Sequence, residues 1–234
     1  DRNTRYVFGS RLAWKSIYYH GRVRKEEGDV MKKLFENWRR FLTEDKDKYI
    51  ILLPGGYKPP HKGHLKIIRD YAEHPDVEKV FVFIGSAPRQ SDDGKMTFDV
   101  DKSLQIFNLY GVLNDPKVEL IRSSSRISKA GKEYENPFAD AIDFVKDADP
   151  SLFQGKIFAI GHASKDAQRG EKFAKITKDF NNVQTDLPPM VVQSDDISAT
   201  NLRNAIADGN KQEVEKALPL PAMYDDFMRI IVSS

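Results

Sequence analysis

The chain has 234 residues, of which 40% are hydrophobic and 31% are charged, and its formal net charge is +2. A charge so close to neutral gives no strong reason to expect binding to nucleic acid, and the absence of cysteine excludes disulfides, cysteine-ligated metals and thiol catalysis. No apolar run reaches membrane-spanning length and no signal-peptide pattern opens the chain, so we expect a cytoplasmic protein with no membrane partner.

Residues 1–30 differ from the rest of the chain because they combine basic and aromatic side chains with no regular hydrophobic period. Such a composition is also typical of nucleic-acid-binding arms. We favour another interpretation, because Met31 opens the stretch MKKLFENWRRFLTE, which reads like a natural start. Residues 1–30 are therefore expected to be non-native, translated upstream sequence, or disordered.

Residues 31–42 carry apolar side chains at helical spacing, namely Leu34, Phe35, Trp38, Phe41 and Leu42. This spacing predicts an amphipathic helix, which either packs on the main domain or docks on a partner. A charged connector follows. We therefore predict a helical N-terminal extension over residues 1–48 and a main domain over residues 49–234.

From residue 49 onward, short apolar runs alternate with helical patterns. The runs predict five strands, at residues 49–53, 77–85, 117–121, 156–161 and 189–193. Helical patterns predict helices that begin near residue 61 and at residues 98–110, 137–148, 170–180, 201–207 and 212–218, with a last apolar stripe from Met223. The polar stretches 86–95 and 123–136 are predicted to be loops. This alternation predicts an α/β fold with a parallel sheet and helices on both faces.

In such folds ligands bind beyond the carboxyl ends of the strands, and the first loop there reads PGGYKPPHKGH. A helix N-terminus offers N–H groups and a partial positive charge to an anion. His61 and His64 are three residues apart and share one side of the helix, while Gly63 lets an anion approach the backbone closely. A single histidine there is usually an incidental cap, but the pair after a glycine turn predicts a phosphate site.

The loop after the last predicted strand contains ISATNLR, residues 197–203. Ser198 is a good helix N-cap, Thr200 lies in the first turn, and Arg203 follows one turn later on the same face. Hydroxyls, amides and a guanidinium predict a second anion site. Taken alone this signal is weak, because such caps are common and an exposed arginine is usually solvated.

Together and in this order, the two stretches resemble the motifs of the HxGH nucleotidyltransferase superfamily. GGYKPPHKGH is similar to the G-x-F-x-P-x-H-x-G-H motif of nicotinamide mononucleotide adenylyltransferases, and ISATNLR to their I-S-x-T-x-x-R motif. PGGYKPPHKGH also resembles the start of phage-borne cytidylyltransferase-like proteins. The resemblance spans residues 49–218. It implies a Rossmann-like, doubly wound, parallel five-stranded sheet in a protein from the cytoplasm of a bacterium or phage-infected cell.

The resemblance also implies a reaction, in which a nucleoside monophosphate passes from a nucleoside triphosphate to a phosphorylated small-molecule acceptor such as nicotinamide mononucleotide, and pyrophosphate leaves. His61 and His64 would stabilise the transition state at the α-phosphate. Ser198, Thr200 and Arg203 would hold the β- and γ-phosphates, so the implied catalytic residues are His61, His64, Thr200 and Arg203. Mg²⁺ would be held mainly by substrate phosphates and water, with no protein metal site.

Further residues are candidates by position. Backbone amides at Gly55, Gly56 and Tyr57 would support the triphosphate, next to Gly63. Lys58 and Lys62 flank the loop and would neutralise phosphate, or lie solvated at the surface. Arg89 and Arg126 follow the second and third strands and are expected to meet the acceptor's phosphate. Lys165 and Arg169 follow the fourth strand and would close over the triphosphate.

Several alternatives stay open. Cytidylyltransferases of this superfamily usually carry RTEGISTT, so ISATNLR favours ATP over CTP. The NPFT segment usual after IGSA in nicotinamide mononucleotide enzymes is missing, which leaves the acceptor open. A class I aminoacyl-tRNA synthetase would need a KMSKS-like loop, which the sequence lacks. A catalytically silent nucleotide-binding or structural phage protein is the remaining alternative, and the sequence does not indicate an oligomeric state.

Overall fold

The computed structural model describes residues 48–127, 133–180, 183–193 and 197–233. Except for Lys48, the predicted extension at residues 1–48 lies outside this part of the chain, and so does its predicted helix at residues 31–42.

Five parallel strands form the central sheet, and four shorter strands form two separate antiparallel pairs. In chain order the described strands are β1 (Lys48–Gly55), β2 (Val77–Ile84), β3 (Arg89–Gln90), β4 (Thr97–Phe98), β5 (Val118–Arg122), β6 (Ser125–Ile127), β7 (Glu133–Glu135), β8 (Lys156–Ile160) and β9 (Gln184–Thr185). The sheet has the order β5–β2–β1–β8–β9, and every neighbouring pair is parallel. The chain first moves outward from β1 to β5 and then returns to β8 and β9 on the other side. The loops after β1 and β8 therefore diverge, and the predicted doubly wound sheet is confirmed.

Helices cover both faces of the sheet. In chain order they are α1 (Lys62–Glu73), α2 (Val100–Leu109), α3 (Pro137–Lys146), α4 (Ala167–Thr177), α5 (Ala199–Ala207), α6 (Lys211–Ala217) and α7 (Tyr224–Val232). Successive strand residues point to opposite faces, so Ile50 and Leu52 pack with α3 and α4, while Ile51 and Leu53 pack with the other helices. Within the described ranges, no helix is both long and apolar enough to cross a membrane.

The fifth strand was predicted in the wrong place. It lies at Gln184–Thr185 and not at residues 189–193. Pro188 and Pro189 have no N–H group to donate to a ladder, which excludes them from regular pairing. Val192 forms an isolated parallel bridge with Ala163.

Both stretches predicted as loops contain short strands. Arg89–Gln90 pairs antiparallel with Thr97–Phe98 after β2, and Ser125–Ile127 pairs antiparallel with Glu133–Glu135 after β5. The loop predictions for residues 86–95 and 123–136 missed these strands, because strands of two or three residues are too short to show an alternating pattern.

A buried ion pair lies near the amino ends of the strands, at the edge of the sheet opposite to the predicted ligand loops. Lys156 in β8 pairs with Glu78 in β2, and the two side chains are 0% and 11% exposed. Removing one member of such a pair leaves a buried charge without its partner, which is strongly destabilising.

We therefore expect Lys156→Ala to lower the free energy of unfolding by about 3 kcal/mol, because Glu78 would lose its buried partner. Urea denaturation at neutral pH measures this loss. The control is Lys66→Ala, which removes the more exposed pair between Lys66 and Asp70 and should cost less than about 1 kcal/mol. Equal losses in the two variants would contradict the role given to the buried pair.

Candidate active site

The loop between β1 and α1 is fixed by its carbonyl groups, which accept hydrogen bonds from side chains of several elements. Three bonds run from Ser103 Oγ to the Tyr57 carbonyl at 2.8 Å, from Arg203 Nη1 to that of Lys58 at 2.7 Å, and from Tyr110 Oη to that of Pro60 at 3.2 Å. In addition, Tyr57 of the loop donates from Oη to the Leu53 carbonyl in β1 at 3.0 Å. Burial raises the pKa of the Tyr57 and Tyr110 hydroxyls, so both stay protonated donors at neutral pH. Because donors come from α2, α5 and the residue after α2, these elements and the loop hold one another in place.

His61 and His64 form a stacked pair at the start of α1. Their ring centroids are 3.7 Å apart with an angle of 23° between the planes, and His61 is 5% exposed. The backbone N–H of His61 lies 3.4 Å from Nδ1 of His64. Since a backbone N–H can only donate, this nitrogen accepts, and in the neutral ring the proton lies on Nε2. His64 can therefore donate a hydrogen bond from Nε2, which is the bond that a phosphate oxygen requires.

The ring of Tyr57 packs behind the histidines. Tyr57 has a left-handed backbone conformation with φ of 52°, and its ring meets those of His64 and Phe107 edge-on, at centroid distances of 4.9 and 5.6 Å. The ring also lies against Gly55, where an added Cβ would be 2.7 Å from it. Gly55 therefore gives Tyr57 the space to support His64.

The second predicted motif lies against the same loop. Ser198 caps α5 and accepts a hydrogen bond from the N–H of Thr200 at 3.2 Å. Arg203 donates from Nη2 to the Thr200 hydroxyl at 2.9 Å and from Nη1 to the Lys58 carbonyl at 2.7 Å. Arg203 thus joins the two motifs, and its partner Lys58 lies 145 residues earlier in the chain.

A cavity of about 380 Å³ is lined in part by Lys58. It lies between the carboxyl ends of β1 and β2, the start of α3 and the N-terminal half of α4. Its lining consists of Pro54, Gly55, Gly56, Lys58, Gly85, Ala87, Arg89, Asn136, Pro137, Phe138, Arg169 and Lys172. Four of these side chains are cationic and none is a carboxylate. His61, His64, Ser198, Thr200 and Arg203 do not line this cavity, so the site has two neighbouring parts joined at Lys58.

Lys58 and Lys62 differ in position. Lys58 is 2% exposed, and its ammonium donates hydrogen bonds to the carbonyls of Gly85 and Ala87. It ties the end of β2 to the loop, so the alternative of a solvated surface lysine is wrong for Lys58. Lys62 is half-buried at the first residue of α1, next to the buried Gly63. Lys165 lies in the single turn Ser164–Asp166, and its side chain is outside the described part.

The two arginines predicted to meet the acceptor's phosphate lie in different surroundings. Arg89 is exposed and lines the cavity. Arg126 does not line it and instead pairs with Asp140 and Asp143 in α3. Burial alone would lower the pKa of Arg126, but hydrogen bonds to these carboxylates raise it overall. This pairing could not be predicted from the sequence, because no local pattern indicates that Asp140 and Asp143 of α3 both contact Arg126.

Several residues of the site carry no clear signal in the sequence. Ser103 lies in α2 and Tyr110 just after it, and nothing in the local sequence marks either residue as functional. They contribute to the site because their hydroxyls donate hydrogen bonds to carbonyls of the β1–α1 loop. Lys172 had a signal, since it lies one helical turn after Arg169 on the same face. Asn136 caps α3, and it reaches the cavity only because the β6–β7 pair brings the chain back there.

A comparison with protein families matches residues 52–205 to the family model described as cytidylyltransferase-like. This match includes both motifs. The chain belongs to the cytidylyltransferase-like family. The resemblance to the HxGH nucleotidyltransferases is thereby confirmed, and this family member is a nucleotidyltransferase by fold and family.

No curated protein matches the chain. Solved structures similar to it include a nicotinate-nucleotide adenylyltransferase from Vibrio parahaemolyticus, with 15% identity over 77% of this chain and 99% of that one and a TM-score of 0.43. A bifunctional NMN adenylyltransferase/ADP ribose pyrophosphatase from Francisella tularensis has 12% identity over 81% of this chain and 51% of that one, with a TM-score of 0.46. The nicotinic acid mononucleotide adenylyltransferase of Plasmodium falciparum, complexed with NaAD, has 15% identity over 76% and 94%, with a TM-score of 0.40. This chain spans about half the length of the Francisella protein.

The two glycines of the loop provide a matched test of the packing behind His64. We expect Gly55→Ala to lower the free energy of unfolding by about 1–3 kcal/mol, because the added methyl would push the Tyr57 ring away from His64 and from the Leu53 carbonyl. Gly56→Ala should change it by less than about 0.5 kcal/mol, because nothing lies within 4 Å of the added carbon. Chemical denaturation followed by circular dichroism measures both. If the two variants were equally stable, Tyr57 would not depend on Gly55 for its position.

Proposed function

We propose that this protein transfers AMP from ATP to a phosphorylated small-molecule acceptor, such as nicotinamide mononucleotide, and releases pyrophosphate. The observation that supports this function best is the pair of hydrogen bonds from Arg203 to the Lys58 carbonyl and to the Thr200 hydroxyl. They join the second motif to the loop that leads into the stacked histidines, which suits the splitting of a triphosphate between its α- and β-phosphates.

In the proposed reaction an oxygen of the acceptor's phosphate attacks the α-phosphorus. A new P–O bond forms there while the bond to the oxygen that bridges the α- and β-phosphates breaks, and pyrophosphate leaves. His64 would donate from Nε2 to an α-phosphate oxygen, and His61 lies at stacking distance beside it. Such donors stabilise the charge that grows on the five-coordinate phosphorus. No side chain needs to become covalently attached.

Arg203 is suited to hold the departing pyrophosphate. A guanidinium has five N–H donors, and three of them bind the carbonyls of Lys58 and Gln90 and the hydroxyl of Thr200. The remaining two can bind phosphate oxygens without releasing these contacts. Fixed donors cost little reorganisation when charge moves to the leaving group.

The cavity is suited to hold the acceptor. Its volume of about 380 Å³ lies in the range of small-molecule sites. Arg89, Arg169 and Lys172 line it and no carboxylate does, although Asp166 lies 3.7 Å from Arg169. A lining of this charge favours an anionic ligand, in agreement with an acceptor that carries a phosphate. We propose that these three cations hold the acceptor's phosphate while its oxygen faces the α-phosphorus. Arg169 thereby takes a role at the acceptor, and not the role at the triphosphate that its place in the sequence led us to expect.

Mg²⁺ fits this site as an ion carried by the substrate. Among the described residues, no group of three or more His, Asp or Glu side chains is placed to hold a metal ion. Mg²⁺ usually keeps several waters and binds substrate phosphates with few protein ligands. When bound, it would neutralise phosphate charge and so ease both the attack and the departure of pyrophosphate.

Cytidylyl transfer from CTP is the second candidate, because the family model that matches residues 52–205 is described as cytidylyltransferase-like. The arginine in ISATNLR favours ATP. The two candidates share the phosphate chemistry and differ only in the base that is bound.

The direct experiment measures pyrophosphate release with Mg²⁺ from ATP, CTP, GTP and UTP, each against a panel of phosphorylated acceptors that includes the nicotinamide and nicotinate mononucleotides. We expect turnover with ATP and at least one acceptor. Turnover with CTP alone would establish the second candidate. No turnover together with no binding of any nucleotide would instead favour a catalytically silent protein.

Two substitutions separate the roles of the two motifs. We expect His64→Ala to lower kcat by about a hundredfold or more with little change in triphosphate affinity, because its contact strengthens in the transition state. Arg203→Ala should mainly weaken triphosphate binding. Steady-state kinetics and equilibrium nucleotide binding measure the two effects.

The control for these two variants is His74→Ala, which changes a histidine just after the other end of α1, where the side chain accepts only a local backbone N–H among the bonds described. It should leave both constants unchanged. Normal binding and turnover in both His64→Ala and Arg203→Ala would contradict the assigned site.

A further inference from the structure

The β3–β4 hairpin, residues 89–98, is fastened to α5 by three hydrogen bonds. The N–H of Asp92 donates to Oδ1 of Asn204 at 3.0 Å, and Nδ2 of Asn204 donates to Oδ2 of Asp92 at 2.6 Å. Next to this pair, Nε of Arg203 donates to the Gln90 carbonyl at 2.9 Å. Asn204 and Asp92 thus form a two-bond contact in which an amide and a carboxylate face each other.

This contact lies between the two parts of the site. Arg89, the residue before Gln90, lines the cavity, and Arg203, the residue before Asn204, lies at the Thr200 hydroxyl. Burial lowers the pKa of Arg203, and the positive charge of Arg89 lowers it further, while the negative charge of Asp92 acts in the opposite sense. The two arginines therefore repel each other across this boundary, and Asp92 offsets the repulsion.

The hairpin itself is internally bonded, so its position depends on how it is anchored. Ser91 and Met96 pair through their backbones at 3.0 Å, and the Ser91 hydroxyl contacts Asp93 and Met96 at 2.6 and 3.1 Å. One anchor is Phe98, which is 0% exposed in the core. The contact with α5, next to the bond from Arg203 to Gln90, is the other anchor, on the side that carries Arg89.

We propose that Asp92 and Asn204 are positioning residues, which lock the hairpin onto α5 and so hold Arg89 at the cavity in register with Arg203 at the triphosphate. This inference rests on the proposed function. Neither residue touches the reacting atoms, because each acts through a neighbouring arginine. Acceptor binding should therefore depend on the pair more than nucleotide binding does, since Arg203 keeps its bonds to Lys58 and Thr200.

The first test is Asn204→Ala, which removes both bonds to Asp92. We expect faster hydrogen–deuterium exchange of the amides at residues 89–98, and a KM about tenfold higher for the acceptor found active in the panel. The affinity for ATP, or for CTP if that is the substrate, should stay within about twofold. Both bonds lie at the surface, so the melting temperature should hardly change.

The second test exchanges the two side chains. Asn204→Asp alone would place two carboxylates face to face and should raise the acceptor KM at least as much as Asn204→Ala. The double variant Asp92→Asn, Asn204→Asp restores one amide and one carboxylate, and the backbone N–H of residue 92 keeps its acceptor. We expect it to recover both the exchange protection and the acceptor KM. Lys95→Ala removes an exposed ion pair with Asp93 at the tip of the hairpin and leaves both bonds between Asp92 and Asn204, so it should keep the acceptor KM of the unaltered protein.

Three outcomes would overturn the proposal: unchanged exchange in Asn204→Ala, faster exchange with an unchanged acceptor KM, or no recovery in the double variant. A failure of the proposed function would look different, because the unaltered protein would then turn over no acceptor at all. In that event exchange in the single and double variants still decides whether this pair holds the hairpin.

Discussion

The carbonyl groups between β1 and α1 must find hydrogen-bond donors, and the rest of the site is arranged around the side chains that supply them. A buried carbonyl without a donor costs about 1–3 kcal/mol, and none of the described strands pairs with residues 56–61. Ser103 and Tyr110 supply donors from the α2 region and Arg203 from α5. The same bonds that complete the backbone therefore bring the two sequence motifs together.

This arrangement shows how contacts that hold the fold together can also present the groups that we propose bind phosphate. Lys58 binds carbonyls just after β2 and also lines the cationic cavity. Arg203 binds the loop, and we propose that two of its N–H groups bind phosphate. The histidine pair lies at the start of α1, and Gly56 and Lys58 of the preceding loop line the cationic cavity. A triphosphate at the histidines and an anionic acceptor in the cavity would meet near Lys58, as the proposed nucleotidyl transfer requires.

Much of this could be predicted from the sequence because the signals are local. Apolar runs and helical stripes predicted β1, β2, β5 and β8, and the histidine spacing predicted that His61 and His64 share one side of α1. The fifth strand was misplaced because Pro188 and Pro189 interrupt the apolar run in which it was predicted. The strands β3, β4, β6 and β7 were missed because they are too short to show a period. The partners of Lys58 and Arg126 come from distant segments, and no local pattern encodes them. The same holds for Asp92 and Asn204, which are 112 residues apart.

The proposed reaction breaks the bond between the α- and β-phosphates of the nucleotide. Parallel incubations with ATP, or with CTP if that is the substrate, labelled at either the α- or the γ-phosphorus, in the presence of Mg²⁺ and an active acceptor, test it most directly. We expect the α-label to move into the acceptor product and the γ-label into pyrophosphate. Release of the γ-label as inorganic phosphate, or its transfer to the acceptor, would contradict nucleotidyl transfer.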